Sequence, residues 1–361
     1  MCKLPNYLAY IGCYSKLEGG ITILDVNPND GSFRRRGMLR GIADPTWVQL
    51  NRDHTMLYAG VCQIRDKATE GGVAMFRIRG DQLEFASFQP SGGSKPCYVA
   101  LDGDEKAAFA ANYSEGTGAY FPLNADGTLQ PEARHFVHTG KGPHPTRQEK
   151  AHVHCAEVTP DGSILYLVDL GIDTVVAYRY DNGKGDLSRV PEADIKAAPG
   201  AGPRHILFAR GGELVYVINE LASTVVVYRR DGIAYRPEQT LSLLPEGYPA
   251  EKAARNTASA IKMTSDGTRL LCSNRGYDSI AVFAVCPETG LLKLLSINPT
   301  LGRGPRDFAI LPGDQFVLVA HQYTNNLVSF RLNHEDGTME PVGEQLLVDQ
   351  GVCVKIGAPL K

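Results

Sequence analysis

A short apolar strand signal recurs seven times along the 361-residue chain, roughly every fifty residues. Its copies centre on Tyr10, Tyr58, Phe109, Tyr166, Tyr216, Leu271 and Leu318, in runs such as Leu214-Val215-Tyr216-Val217-Ile218-Asn219. Each copy leads into an alternating run, for example Val225-Val226-Val227-Tyr228 or Ile280-Ala281-Val282-Phe283. Turn signals such as Asp126-Gly127, Asp266-Gly267 and Asp336-Gly337 close the hairpins. Six copies are preceded by one more strand, at 46–50, 97–101, 154–158, 204–208, 259–263 and 306–310. The first copy lacks it, and the C-terminal run Val352-Cys353-Val354-Lys355-Ile356 can supply it. A repeat of this length, all strand and turn, predicts an all-β, seven-bladed β-propeller formed by residues 1–361 as one domain. Pairing the C-terminal strand into the first blade closes the ring and removes open sheet edges. The irregular stretch 244–257 is read as a short helix or a lid.

Two related repeats do not fit. The paired glycines of kelch repeats are missing, and the only tryptophan, Trp47, precedes Val48, so there is no Trp-Asp dipeptide. Lys plus Arg number 37 against 40 Asp plus Glu, a net charge of -3, without the basic excess that nucleic acid or an anionic membrane requires. Residues 1–10 carry no secretion signal and no long apolar run follows, so a cytosolic protein is expected. The eight cysteines are scattered, with no Cys-x-x-Cys pair, and read as buried thiols. The oligomeric state is not legible.

In a propeller the innermost strand of each blade lines the channel, and its start faces one mouth. Equivalent repeat positions therefore lie at one height. A first layer holds Thr46, Cys97, His154, Arg204, Ser259 and Arg306; a second, after the next strand, holds Cys62, Tyr113, Leu170, Glu220, Arg275 and Gln322. Just before the second layer come Asn112, Asp169, Asn219, Asn274 and His321. Residues far apart in sequence should thus converge on one funnel with a positive excess. Arginine forks suit carboxylate or phosphate oxygens, so the expected partner is a small anionic molecule. The plainer reading is that Arg306 with Asp307, and Arg275 with Asp278, merely pin loops between blades.

His152 and His154 lie two apart on a strand and should face the same way, as a metal-binding pair can. No third ligand is apparent and the arginines disfavour a cation, so no metal and no cofactor are expected. A neutral base, a hydrogen-bond donor or a structural channel histidine remains open for His154. His205 should face away from Arg204 in a structural role. The pieces Ser91-Gly92-Gly93-Ser94 and Gly140-Lys141-Gly142-Pro143 read as turns, and no Gly-x-Ser-x-Gly elbow is present.

Five ordered motifs carry a family resemblance. Arg147-Gln148 with His152-Val153-His154, Gly202-Pro203-Arg204-His205, Asn219-Glu220-Leu221, Ser273-Asn274-Arg275-Gly276 and Gly304-Pro305-Arg306-Asp307 together resemble the propeller-type lactonases. That family includes bacterial 6-phosphogluconolactonases and fungal carboxy-muconate lactonising enzymes. The resemblance implies catalytic roles for His154, Arg204, Glu220 and Arg275, and substrate contacts for His152, Arg147, Arg306, Asn219, Asn274 and Gln322. His321-Gln322 departs from the Asn-Gln usual there. The implied reaction is hydrolysis of a sugar lactone, best 6-phosphogluconolactone, with Arg204 or Arg275 on the oxyanion and Arg306 among the phosphate ligands. A Glu among arginines tends to stay ionised, which favours His154 as base and Glu220 as its orienter. A muconate-type cyclisation would use the same groups, and a non-catalytic binding propeller is the third reading.

Overall fold

Alternating apolar residues let each repeat form a sheet that buries both faces against its neighbours. The computed structural model describes residues 3–131, 134–181 and 187–360, and within them forms seven four-stranded sheets. Every blade is an antiparallel meander running from the channel outwards. In blade four the order is Val153–Val158, Ile164–Asp169, Thr174–Arg179, Ile195–Lys196; in blade five it is Pro203–Ala209, Leu214–Asn219, Thr224–Asp231, Ala234–Ser242. The innermost strand of blade one is Gly351–Pro359, which pairs antiparallel with Tyr7–Cys13 through Tyr10↔Lys355, Ile11↔Val354 and Gly12↔Cys353. The ring is closed as the repeat predicted.

The large fully buried side chains fall on the repeat. Tyr10, Tyr58, Phe109, Tyr166 and Tyr216 sit on the second strand of successive blades, 1% exposed or less. Burying such a ring contributes roughly 1.5–3 kcal/mol. The hydroxyls are bonded rather than wasted: Tyr58 donates to the Gly127 carbonyl (2.6 Å) and Tyr216 to that of Gly290 (2.7 Å), each tying a blade to the outer hairpin of the next. The seven described cysteines are free thiols, and Cys2 lies outside the described residues. Among the described residues no helix is long and apolar enough to cross a membrane. The 244–257 stretch contains the single-turn helix Ala250–Ala253.

The inner strands differ in one respect that matters for function. In blades four, five, six and seven the pairing slips near the start, between Val153 and Cys155, Pro203 and His205, Ala258 and Ile261, and Pro305 and Asp307. His154, Arg204 and Arg306 are the residues lodged in three of these bulges, and Ser259 lies in the fourth. A bulge leaves its extra residue unpaired and re-aims its side chain. The inner strands of blades two and three, Trp47–Leu50 and Tyr98–Leu101, pair regularly.

Candidate active site

At the mouth where these bulges lie, a cavity of about 450 Å³ is walled by Cys97, Tyr113, Arg147, His154, Glu220, Arg275 and Arg306, with Tyr14, Lys95, Ser114, Arg255, Thr257 and Tyr323 around them. The two Gly-Pro-Arg motifs explain how inner and second strands meet there. Gly202 and Gly304 both have positive φ (62° and 70°), and their carbonyls accept the N–H groups of Glu220 (2.7 Å) and Gln322 (2.9 Å). A side chain at either glycine would run into Leu221 or Tyr323 at 2.6 Å, so only glycine holds the two layers in register.

Glu220, 2% exposed, is the hub. One carboxylate oxygen takes Arg147; the other takes Arg204 Nε (3.0 Å) and Arg275 (2.9 Å). Burial alone would raise the carboxyl, yet Arg275, Arg204 and Arg147 together hold it well below the usual carboxylate range. Arg147 also donates to the Tyr113 hydroxyl (3.1 Å). Arg204 does not line the cavity: it lies beneath Glu220, 2% exposed, donating to the Ser259 carbonyl (2.8 Å) and touching the His205 ring. Arg275 keeps a buried Nε–H with no acceptor among the described residues.

His154 reaches the wall from its bulge, edge-on to Tyr113, with Nδ1 3.9 Å from Cys97 Sγ. Burial, then Arg204, Arg306 and Arg275, press its pKa well below 6.5, so the ring is neutral. The bulge puts His154 on the cavity wall but not His152, although both rings meet Tyr113. His152 instead stacks flat on Tyr113 (4.4 Å), bonded to the Tyr113 carbonyl (2.9 Å) and Glu149 (3.2 Å). The same device turns His205 into the channel, against the expectation that it faces away; its ring meets those of Trp47, Tyr98 and His154.

The anion-binding capacity sits nearer the rim. Among the described residues Arg306 has only the Gln322 amide oxygen (3.4 Å) and the Tyr14 ring beside it, and Arg255, also on the cavity wall, has no ion pair. Lys95 is paired with Asp44 at 2.5 Å. Neither proposed loop pin exists: Asp307 takes Lys262 (2.9 Å), while Asp278 accepts the backbone N–H groups of Gly276 and Gly304.

Asn219 and Asn274, expected to contact substrate, do not line the cavity. Asn219 holds Thr224 (3.0 Å), and Asn274 donates to the Leu243 carbonyl (2.8 Å) and accepts from Asn256 (3.0 Å), so both amides fasten blade edges. Glu220 has no recorded contact with His154 and orients arginines rather than the imidazole. Tyr14 was overlooked although it follows Cys13 at the position equivalent to Tyr113 and Glu220, so the first repeat contained its signal. Arg255 and Thr257 come from the irregular stretch, where the repeat gives no signal.

The chain matches the model of the family "Lactonase, 7-bladed beta-propeller" over residues 8–356. It belongs to that family. It is 34% identical to the 6-phosphogluconolactonase of Bacillus subtilis over 98% of this chain and 99% of the relative. A 6-phosphogluconolactonase of Formosa agariphila is 31% identical, covering 94% and 96%. The structure of the Pseudomonas aeruginosa periplasmic gluconolactonase superposes with a TM-score of 0.90 at 28% identity, covering 98% of this lactonase and all of that chain.

Proposed function

We propose that this lactonase opens 6-phosphogluconolactone to 6-phosphogluconate in the cytosol. The observation that carries the reading is the pair of guanidinium groups on the cavity wall, Arg306 and Arg255, that have no carboxylate partner among the described residues. A neutral lactone needs no such pair, whereas a phosphate dianion does. The phosphate docks on Arg306 and Arg255, and the lactone carbonyl faces Arg275. Neutral His154 takes a proton from water as the oxygen adds to the carbonyl carbon. The oxyanion that forms is held by Arg275. The ring C–O bond then breaks, and the proton on His154 passes to the leaving alkoxide. A carboxylic acid and a hydroxyl result, and the acid ionises in water. Glu220, with both oxygens committed to guanidinium groups, positions the arginines. The free thiols and the phosphorylated substrate support the cytosolic placement.

The test is the hydrolysis rate of freshly generated 6-phosphogluconolactone above the uncatalysed rate. His154→Asn should lower kcat by about a hundredfold or more, and Arg306→Ala should act mainly on KM. No rate above background in the parent, or full rate in His154→Asn, would overturn the assignment.

A further inference from the structure

The channel has a second mouth, and it too is furnished. Residues later on the same inner strands wall a cavity of about 610 Å³, among them Phe208, Ile261, Met263, Ile310 and Ile356. The strands that carry Arg204, Ser259 and Arg306 at one end carry Phe208, Ile261 with Met263, and Ile310 towards the other, and the closing strand adds Ile356. Between the two lies a plate of rings. Trp47 stacks on Tyr98 at 4.2 Å, His205 meets both edge-on at 5.4 and 5.2 Å, and His205 touches the Arg204 guanidinium. The second cavity is thus separated from the catalytic one by about one layer of side chains.

Two polar groups in this pocket of mixed polar and apolar lining lack the partner their chemistry calls for. Among the described residues the Lys355 ammonium has no carboxylate within ion-pair distance; it bonds the Gln49 amide oxygen (3.2 Å) and lies 4.6 Å from the centre of the Trp47 ring. The Trp47 indole N–H, on a side chain 6% exposed, has no acceptor among the described residues. The other charges nearby are engaged, Lys262 with Asp307 (2.9 Å) and Glu157 with the Tyr98 hydroxyl (2.5 Å). An ammonium over an indole face with no carboxylate of its own calls for a charged acceptor, and the aliphatic and aromatic part of the wall calls for an apolar body. We infer that the second mouth of the channel is a binding site for a small carboxylate with an apolar body, its carboxylate on Lys355 beside the Trp47 ring.

Trp47 is the sole tryptophan, so the intact protein carries its own reporter. Titration with 4-phenylbutyrate, excited at the red edge of the indole band, should change the emission saturably, and the neutral amide 4-phenylbutyramide should not. Lys355→Met should weaken binding about tenfold or more with an unchanged circular dichroism spectrum, while Arg306→Ala at the catalytic mouth should leave it intact. Lys355→Gln replaces the methionine variant if that one does not fold. A flat titration would overturn the site. So would an equal response to the amide, or a response lost in Arg306→Ala but kept without Lys355.

Discussion

In the proposed reaction His154 and Glu220 take opposite roles, and the arginines around them disfavour charge on the one and favour it on the other. Burial first, then Arg204, Arg306 and Arg275, keep the imidazole neutral, while Arg275, Arg204 and Arg147 keep the carboxylate charged against its burial. A bound phosphate dianion offsets part of that field, so the His154 pKa should climb back towards its ordinary 6.5 in the complex. The acid limb of kcat should therefore lie at higher pH than that of kcat/KM with the phosphorylated lactone. With an unphosphorylated lactone the two limbs should coincide, and steady-state pH profiles on both substrates decide it. Glu220→Gln makes a separate prediction. It leaves three guanidinium groups around a neutral amide, and should cost about 3–5 kcal/mol of stability in denaturant titrations, besides activity. A group acting only as a base would lose activity alone.

At the scale of the strand, the repeat carried most of the site and hid one detail. Layer by layer it placed Cys97, His154, Tyr113, Glu220, Arg275 and Arg306 together, because equivalent positions in a closed ring share a height. It did not reveal the bulges, since a strand with one extra residue has the same composition as one without. That is why His205 is expected on the wrong face. Nor did it separate residues that look into the channel from those that fasten the blade: Asn219 and Asn274 sit one place before Glu220 and Arg275, and the pleat turns them into the sheet. Arg255 was invisible because its stretch has no period. Asn274→Ala should accordingly lower stability by roughly 1–3 kcal/mol through the lost bonds to Leu243 and Asn256, with KM unchanged. Thermal melts and kinetics on one preparation test this. A raised KM at unchanged stability would restore Asn274 to the substrate.

For the molecule as a whole, the buried histidines set the response to acid. His154, His205 and His321 all have folded pKa values below the ordinary 6.5, chiefly through burial. The unfolded chain then binds more protons below that value, so their contribution is present above pH 6.5 and is lost as the pH falls. Glu220, also depressed, adds a further loss below its ordinary 4.5. Glu157, raised by burial, works weakly in the other direction. The melting temperature should hold above neutrality, fall from about pH 6.5, and fall more steeply below about 4.5. Replacing His205 by Asn should flatten the first decline.

The closing strand Gly351–Pro359 leaves the ribosome after every other strand of the seven blades, long after its partner Tyr7–Cys13. At usual rates of synthesis the inner edge of that early strand waits on the order of tens of seconds for its mate. Throughout that interval the nascent chain offers an unpaired β edge to any other chain beside it, and six blades stand with a gap where the seventh interface belongs. Yield in the cell should then depend on how well that edge is shielded during translation, which is a matter for chaperones and codon usage rather than for the finished fold.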